Sequence, residues 1–328
     1  MGKKQNENQI VENEDIIRTD AERKAKGKAL YGYDYATKAK QKFGDKLLHI
    51  KFKTSPHPHA KIKNIDKKEA EQIDGVEKIY THENVPDVKF TTAGQTYPEP
   101  SPYDTKILND VMRFAGEPVA MVAAETPEIA NKAKQKIKVE YEKLESVLDP
   151  EKALKNETKI HEDGNLADHL DVEVGDTEKG FENSEVVIEE EFETQPQKHG
   201  HLEPLACVSH INDKGNLVIE TSNQVVYHIR RIISRILDRK QNDIRVRSWE
   251  IGGGFGDKQE MNIEHYTAFV TDDLRRPSIL AYDREDQFIR SRRRHSAKLR
   301  VRLGSDKDGN LNAVKIYALS DTGGYGSH

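Results

Sequence analysis

Cysteine is almost absent from this chain of 328 residues, since Cys207 is the only one. A single thiol excludes a disulfide within the chain, and it excludes an iron–sulfur cluster held by four thiolates of this chain. Long apolar stretches are also missing: no run of about 18 apolar residues occurs, and the N-terminus lacks the apolar core of a signal peptide. These absences predict a soluble, cytoplasmic protein that does not enter the membrane.

Charge of one sign is not in excess. The chain has 52 basic and 57 acidic residues and a formal net charge of −5, which argues against a general nucleic-acid-binding protein. Charged residues make up 33% of the chain and hydrophobic residues 35%. The hydrophobic share is enough for the cores of two domains. The high polarity fits a subunit whose core is completed by partners, and it fits a charge-rich surface equally well.

Two pairs of histidines are candidate metal ligands, but neither pair has the surroundings of a metal site. His57 and His59 lie between prolines without an acidic neighbour, and His199 and His201 have neither a cysteine cluster nor an H-x-x-x-H helix beside them. Structural zinc sites combine about four such ligands at characteristic spacings. We therefore expect a rigid connector at the first pair and hydrogen-bonded strand histidines at the second.

The most informative stretch is Ile251-Gly252-Gly253-Gly254-Phe255-Gly256-Asp257-Lys258. It follows a β-rich run and precedes a helix-like segment, which predicts a strand–loop–helix unit with a bare backbone at its turn. Neither familiar phosphate loop fits, because Asp257 replaces the last glycine of G-x-G-x-x-G and Gln259 follows the lysine where a P-loop needs Ser or Thr. The ring of Phe255 needs a surface to pack on, either the protein core or a planar ligand.

This loop resembles the Gly-Gly-Gly-Phe-Gly-x-Lys signature of molybdenum hydroxylases, the xanthine dehydrogenase and aldehyde oxidase family, in the subunit that binds the molybdopterin cofactor. Further segments resemble the same family in the same order along the chain. They are Ser55-Pro56-His57-Pro58-His59-Ala60, Leu202-Glu203-Pro204, Ser222-Asn223-Gln224 and Asp321-Thr322-Gly323-Gly324-Tyr325. The resemblance covers residues 17 to 328.

The resemblance implies roles for individual residues. Gln224 hydrogen-bonds an oxygen ligand of molybdenum, and Phe255 packs beside the ligand sphere of the metal. No protein side chain is expected to ligate the metal directly. Backbone groups of the glycine loop line the cofactor, at Gly253, Gly254 and Gly256. Glu203 lies between apolar residues, so we expect it to be partly buried and hydrogen-bonded, with a supporting role in orienting the loops.

The substrate-facing position is expected at Gln259 or Glu260. Purine-oxidising members of the family carry a glutamate directly after the motif lysine, whereas this chain has Gln259 there and the acid one residue later. A shift of one residue at the start of a helix rotates the side-chain direction by about 100°. We therefore expect Gln259 to face the substrate and Glu260 to face away, where it favours the helix N-terminus. This difference weakens an assignment to xanthine.

The predicted fold is α+β. A disordered tail at residues 1–16 is followed by an α/β-hammerhead domain at 17–148, with a structural role. A connector at 149–180 leads to an incomplete mixed α/β molybdopterin-binding domain at 181–328. Within the second domain, the spacing of four isoleucines predicts a helix over 226–237 that follows the strand ending near Gln224.

The implied reaction is hydroxylation of an aromatic heterocycle, purine-like or nicotinate-like, or of an aldehyde, with oxygen from water. Catalysis would need a general base on a C-terminal part that this chain lacks, so we expect the chain alone to be inactive and the catalytic base to come from a second molybdopterin-binding chain. Further partners would be an iron–sulfur subunit with 2Fe–2S clusters and an FAD subunit. The cofactor could be the cytosine dinucleotide form. The alternative is a truncated, non-catalytic remnant or assembly partner.

Overall fold

The computed structural model describes residues 18–93, 97–99 and 101–326. The predicted disordered tail, residues 1–16, lies outside the described residues. Residues 18–30 form a small unit of their own, and the chain from Tyr31 onward forms a second unit that holds the sheets and the site described below.

The helices are α1 (Ala21–Ala25), α2 (Gly32–Phe43), α3 (Lys68–Glu71), α4 (Pro127–Lys136), α5 (Pro150–Leu154), α6 (Thr177–Glu182), α7 (Val226–Ile236), α8 (Glu264–Leu274) and α9 (Arg284–Arg290). The strands are β1 (Leu48–Thr54), β2 (Ala60–Asp66), β3 (Val76–Tyr80), β4 (Val111–Met112), β5 (Pro118–Ala124), β6 (Lys138–Lys143), β7 (Val186–Thr194), β8 (Ala206–Ile211), β9 (Leu217–Thr221), β10 (Ile244–Ser248), β11 (Ser278–Ala281), β12 (Ser296–Ser305) and β13 (Leu311–Asp321).

A seven-stranded mixed sheet forms the centre of the second unit, in the order β10-β9-β8-β11-β1-β5-β3. β10 runs parallel to β9, and β1 runs parallel to β11, with Leu48 opposite Ser278. The junction of β1 and β11 joins strands from the two predicted domains into one sheet. One face of the seven-stranded sheet packs against α7 and α8 in the largest hydrophobic core among the described residues.

Two three-stranded sheets complete the unit, in the orders β4-β2-β6 and β13-β12-β7. The second contains a hairpin, since β12 and β13 pair antiparallel along their length. Every residue of β7 is exposed, including the apolar side chains of Val187, Ile188 and Phe192. The sheet of β7, β12 and β13 therefore presents apolar surface to solvent.

Periodicity in the sequence locates several elements correctly. The helix predicted over 226–237 is confirmed as α7, and its four isoleucines at 229, 232, 233 and 236 are all buried. Thr126 caps α4, since its hydroxyl accepts a hydrogen bond from the Ile129 amide at 3.2 Å. The apolar run at 118–124 forms β5, which is buried along its whole length. Elements with strong apolar patterns are therefore predictable from local sequence.

α2 and α9 are two of the helices that the sequence did not predict. α2 packs onto the sheet through Tyr35, whose ring stacks on Trp249 with centroids 4.1 Å apart. α9 begins after Asp283, which caps the helix by accepting from the Asp286 amide at 2.8 Å.

Within the described ranges, no helix combines the length and the apolar character needed to cross a membrane.

Candidate functional site

The glycine loop, which we define as residues 252–256, follows β10 and leads into a 3₁₀ turn at Asp257–Gln259. Its backbone is left-handed at three positions, with φ of 91° at Gly253, 51° at Phe255 and 100° at Gly256. Glycine adopts these angles at no steric cost, whereas phenylalanine adopts them only with steric strain. The side chain of Phe255 is 75% exposed. The protein core, one of the two packing surfaces expected for this ring, is thereby excluded.

Gly252 marks the closest approach between the loop and the segment that carries Glu203. A Cβ atom at Gly252 would lie 2.6 Å from the Cβ of Glu203, which no real side chain tolerates. The two backbones are also hydrogen-bonded, because the Glu203 amide donates to the Gly252 carbonyl at 3.2 Å. In return, the Gly252 amide donates to Oε2 of Glu203 at 2.7 Å. Residue 252 must therefore be glycine for the loop to sit at this depth.

Glu203 and Lys258 form a buried ion pair beneath the loop. Lys258 Nζ lies 2.7 Å from Glu203 Oε2, and the two residues are 0% and 7% exposed. Burial lowers the pKa of the Lys258 ammonium group, and the hydrogen bond and negative charge of Glu203 oppose that shift. The other oxygen, Oε1, accepts from the Gly32 amide at the start of α2. The expectation that Glu203 is buried and hydrogen-bonded is confirmed.

A second buried network joins His201, Asp257 and Gln287. His201 Nε2 lies 2.9 Å from Asp257 Oδ2, and both side chains are fully buried. Gln287 on α9 donates to the same carboxylate oxygen at 2.9 Å, while its own Oε1 accepts from the Leu205 amide. His201 lies in a loop, so the prediction of a strand histidine was wrong, although its ring is hydrogen-bonded as expected. The network fixes the first residue of the 3₁₀ turn.

The strand end that carries Gln224 lies against the exit of the glycine loop. The Gln224 amide donates to the Lys258 carbonyl at 2.9 Å. Its side chain is exposed, and Oε1 lies 3.4 Å from the position of a Cβ built on Gly254. The neighbouring Asn223 is fully buried and donates to the Glu260 carbonyl at 2.6 Å. The fold thus brings Gln224 beside Gly254, although 30 residues separate them in the sequence.

The prediction of a helix start at Gln259 and Glu260 was wrong. Gln259 ends the 3₁₀ turn, Glu260 is extended with φ −126° and ψ 164°, and α8 begins at Glu264. The carboxylate that serves the N-terminus of α8 is that of Glu264, which accepts from the Asn262 amide at 2.8 Å. The argument that a helical rotation separates the directions of the two side chains therefore does not hold.

Glu260 is instead 5% exposed and pairs with Arg292, whose Nε lies 3.2 Å from its Oε2. Thr92 joins the pair, because its hydroxyl lies 3.3 Å from the same carboxylate oxygen and accepts from the Arg292 guanidinium. The partner of the Glu260 carboxylate is therefore an arginine side chain and not a helix end.

A cleft of about 1670 Å³ lies beside this pair. Its walls come from segments that are far apart in the chain, including Thr92, Met261, His265 and Arg292. Gln224 and the glycine loop are not among the residues that line it. The exposed loop surface and the cleft are therefore lined by different residues.

The residues of the loop fit the cofactor that the resemblance implies. Phe255 presents an exposed aromatic ring, and Gln224 presents an exposed side-chain amide beside the buried backbone of Gly254, so a planar group can approach the loop from this side. Among the described residues, no three His, Cys, Asp or Glu side chains converge as a metal site. His59, one of the early candidates, lies with Nδ1 2.5 Å from the Glu145 carbonyl.

Two family models match the chain. Residues 160–328 match the molybdopterin cofactor-binding domain. Residues 26–145 match the hammerhead domain of aldehyde oxidase and xanthine dehydrogenase.

The sequence did not predict two sets of buried residues that support the glycine loop. They are the His201–Asp257–Gln287 network and the contact of Glu203 with the Gly32 amide. Their members are far apart in the chain, so no local pattern indicates them.

Known proteins are similar over nearly the whole chain. A probable hypoxanthine oxidase of Escherichia coli O157:H7 is 34% identical, over 95% of this chain and 36% of its own length. The nicotinate dehydrogenase large molybdopterin subunit of Eubacterium barkeri is 30% identical, over 95% of this chain and 71% of its own length. The chain therefore spans about a third of the first relative and most of the second.

A solved structure has the same fold. The aldehyde oxidoreductase of Desulfovibrio gigas superimposes with a TM-score of 0.82 at 25% identity, over 93% of this chain and 34% of that one. Together with the family matches, this likeness confirms the predicted fold class. The chain belongs to the aldehyde oxidase and xanthine dehydrogenase family of molybdenum hydroxylases, with the hammerhead domain and molybdopterin cofactor-binding domain of that family.

Proposed function

We propose that this chain is part of the molybdopterin-binding subunit of a molybdenum hydroxylase that acts on an aromatic heterocycle or an aldehyde. When bound, the cofactor would supply the redox chemistry that introduces oxygen from water. The hammerhead domain at 17–148 and the connector at 149–180 would support the cofactor-binding part at 181–328. Family membership and the exposed surface of the glycine loop support this proposal.

The ring of Phe255 is the observation that carries the proposal. Phe255 has a strained backbone, with φ of 51°, and its side chain is 75% exposed. Both features destabilise the folded protein when nothing covers the ring. The buried Glu203–Lys258 pair and the His201–Asp257 pair hold the loop on either side of it. A planar cofactor that covers the ring would recover the free energy of burying an aromatic side chain.

Each exposed group would have a separate task toward the cofactor. Phe255 would pack beside the ligand sphere of the metal, and the side-chain amide of Gln224 would donate a hydrogen bond to an oxygen ligand of the metal. The backbone of Gly253, Gly254 and Gly256 would line the cofactor at short range, because glycines there present no side chain. Orientation by a rigid loop, and not a covalent step, would be the contribution of these residues.

The proposed assembly contains further chains. A second molybdopterin-binding chain would bring the general base, and iron–sulfur and FAD subunits would carry electrons away from the cofactor, which could be the cytosine dinucleotide form. The relative from Eubacterium barkeri supports a divided arrangement, because it is named a large molybdopterin subunit and this chain spans 71% of it. The apolar surface of β7 offers an area for such a partner. We propose the cytoplasm as the location.

The test is purification of the chain together with the product of the adjoining reading frame. We expect molybdenum in a fixed ratio to the complex, measured by mass spectrometry of the metal, and transfer of ¹⁸O from labelled water into a heterocycle or aldehyde. A stable complex that contains neither molybdenum nor pterin would favour the alternative, a non-catalytic assembly partner, and would refute the proposal.

We propose that Gln259 faces the substrate, and this position predicts which substrates the enzyme prefers. A neutral amide cannot supply the charge-assisted hydrogen bond that a carboxylate gives to a purine ring, so xanthine should be a poor substrate. We expect Gln259→Glu to raise kcat/KM for xanthine, relative to the preferred substrate, by about tenfold or more. The same ratio measured in Glu260→Gln is the control, because Glu260 is buried against Arg292. If only the Glu260 variant moves the ratio, Gln259 does not face the substrate.

A further inference from the structure

A cluster of basic side chains forms one wall of the cleft beside the Glu260–Arg292 pair. The residues of this cluster that line the cleft are Lys198, Arg292, Arg293 and His295. Two of the cations have a carboxylate partner, since Arg292 pairs with Glu260 and Arg293 lies 3.1 Å from Asp321. The described residues therefore neutralise the cluster only in part.

Lys198 is the cation of the cluster that lacks a carboxylate partner among the described residues. Its Nζ donates to the backbone carbonyl of Ser291 and lies 3.5 Å from that of Arg292. Burial lowers its pKa to about 8, and the charges of Arg292 and Arg293 add to that shift, against an opposing contribution from Asp257. The carboxylate of Asp257 is already engaged by His201 and Gln287. When protonated, Lys198 therefore carries a positive charge that no described carboxylate neutralises and that can bind an anion.

His265 supplies a second, independent indication of a ligand in the same cleft. Its ring lines the cleft, the residue is 3% exposed, and neither ring nitrogen has a hydrogen-bond partner within the described part of the chain. Burial lowers the pKa of this imidazole to about 3, so the ring is neutral and offers one donor and one acceptor. Buried polar groups without partners are rare in folded proteins, so this ring is available to hydrogen-bond a ligand in the cleft.

We propose that the cleft wall formed by Lys198, Arg292, Arg293 and His265 is a subsite for the anionic group of an aromatic substrate. This inference rests on the proposed function, and it narrows the substrate class to heterocycles that carry a carboxylate or a comparable negative charge. The cations would bind the charge, and the neutral His265 would hydrogen-bond the ring or its substituent. Met261 adds an apolar surface to the same cleft against which a ring can lie.

The chemistry of an anion subsite is shared by a substrate carboxylate and a cofactor phosphate. Two observations favour the substrate. The groups that surround Lys198 are backbone carbonyls, whereas phosphate sites usually present backbone amides. The cluster is also joined through Arg292 to Glu260, which directly follows the proposed substrate-facing residue Gln259.

Binding is tested first, with the assembled protein and benzoate, benzamide and inorganic phosphate as probes in calorimetry. We expect benzoate to bind, benzamide to bind at least about tenfold more weakly, and Lys198→Gln to weaken benzoate by a similar factor. Lys198→Arg should retain benzoate binding. The matched control is Arg294→Gln, because Arg294 is an exposed cation of the same segment that does not line the cleft. Equal loss in Lys198→Gln and Arg294→Gln would overturn the proposal.

The pH dependence gives a separate readout. Lys198 is charged below pH about 8 and loses its proton above it, so benzoate affinity should fall as the pH rises from 7 to 9. Burial lowers the pKa of His295, so its ring is neutral over this range and does not contribute to the fall. The fall should disappear in Lys198→Gln. An affinity that does not change with pH in the unmodified protein would contradict the assignment.

Turnover then separates the two sources of the anion. If the subsite takes the substrate, Lys198→Gln lowers the kcat/KM ratio of pyridine-3-carboxylate over pyridine-3-carboxamide, with unchanged molybdenum content. Lower molybdenum content, or phosphate that binds while benzoate does not, would assign the cluster to the cofactor and overturn the proposal. If the complex turns over no heterocycle at all, the proposed function fails, while the benzoate measurement still tests the subsite.

Discussion

Lys258→Met is expected to destabilise the protein by about 3–5 kcal/mol, because it leaves the buried carboxylate of Glu203 without its ammonium partner. The pair lies 2.7 Å apart, and Lys258 is fully buried. Methionine fills a similar volume, so the lost charge and not a cavity should account for the effect. The measurement is the free energy of unfolding of the assembled protein in urea, together with that of the double variant Lys258→Met/Glu203→Gln.

The double variant distinguishes an uncompensated charge from lost packing. If the charge is the cause, neutralising Glu203 should restore a substantial part of the stability, since a buried pair replaced on both sides often costs little. A matched control is Lys63→Met, which removes a cation from the half-exposed pair with Glu142 and should change stability little. A loss in Lys258→Met no greater than that in Lys63→Met would show that the buried pair is not what holds the glycine loop.

Gln224→Ala should lower kcat of the assembled enzyme by about 10²-fold or more, the usual effect of removing one oriented donor at a developing charge. The side chain is exposed and lies beside Gly254, so its truncation removes no core packing. Molybdenum content and complex assembly should therefore be unchanged. Gln41→Ala on α2 is the control, because Gln41 is also an exposed glutamine and lies away from the loop.

Phe255→Ala should have an effect of the same order on kcat. Alanine cannot pack beside the cofactor. The backbone strain at φ 51° remains in this variant, because alanine is also disfavoured there. Steady-state kinetics with parallel metal analysis measure both variants. Full activity in Gln224→Ala and Phe255→Ala would remove both residues from the site, whereas loss of molybdenum in either would assign that residue to cofactor retention.

Local patterns in the sequence were enough for elements whose burial repeats along the chain. The isoleucines of α7 recur at helical spacing, and the residues of β5 form an unbroken apolar run, so each element could be predicted without its neighbours. The sequence also determined the glycine loop and the burial of Glu203, because glycine-rich backbone and apolar flanks are local properties. Family membership was likewise evident from short motifs in a fixed order.

Tertiary structure alone decided which distant groups meet. Glu203 binds the amide of Gly32, 171 residues earlier, and the ammonium group of Lys258, 55 residues later. Glu260 was expected to serve a helix end, but it is extended and paired with Arg292, because the Asn223 amide and the Arg292 guanidinium hold its backbone and side chain. Hydrogen bonds and ion pairs act over a few ångströms in space regardless of separation in sequence, so only the folded chain shows which partners satisfy each buried charge.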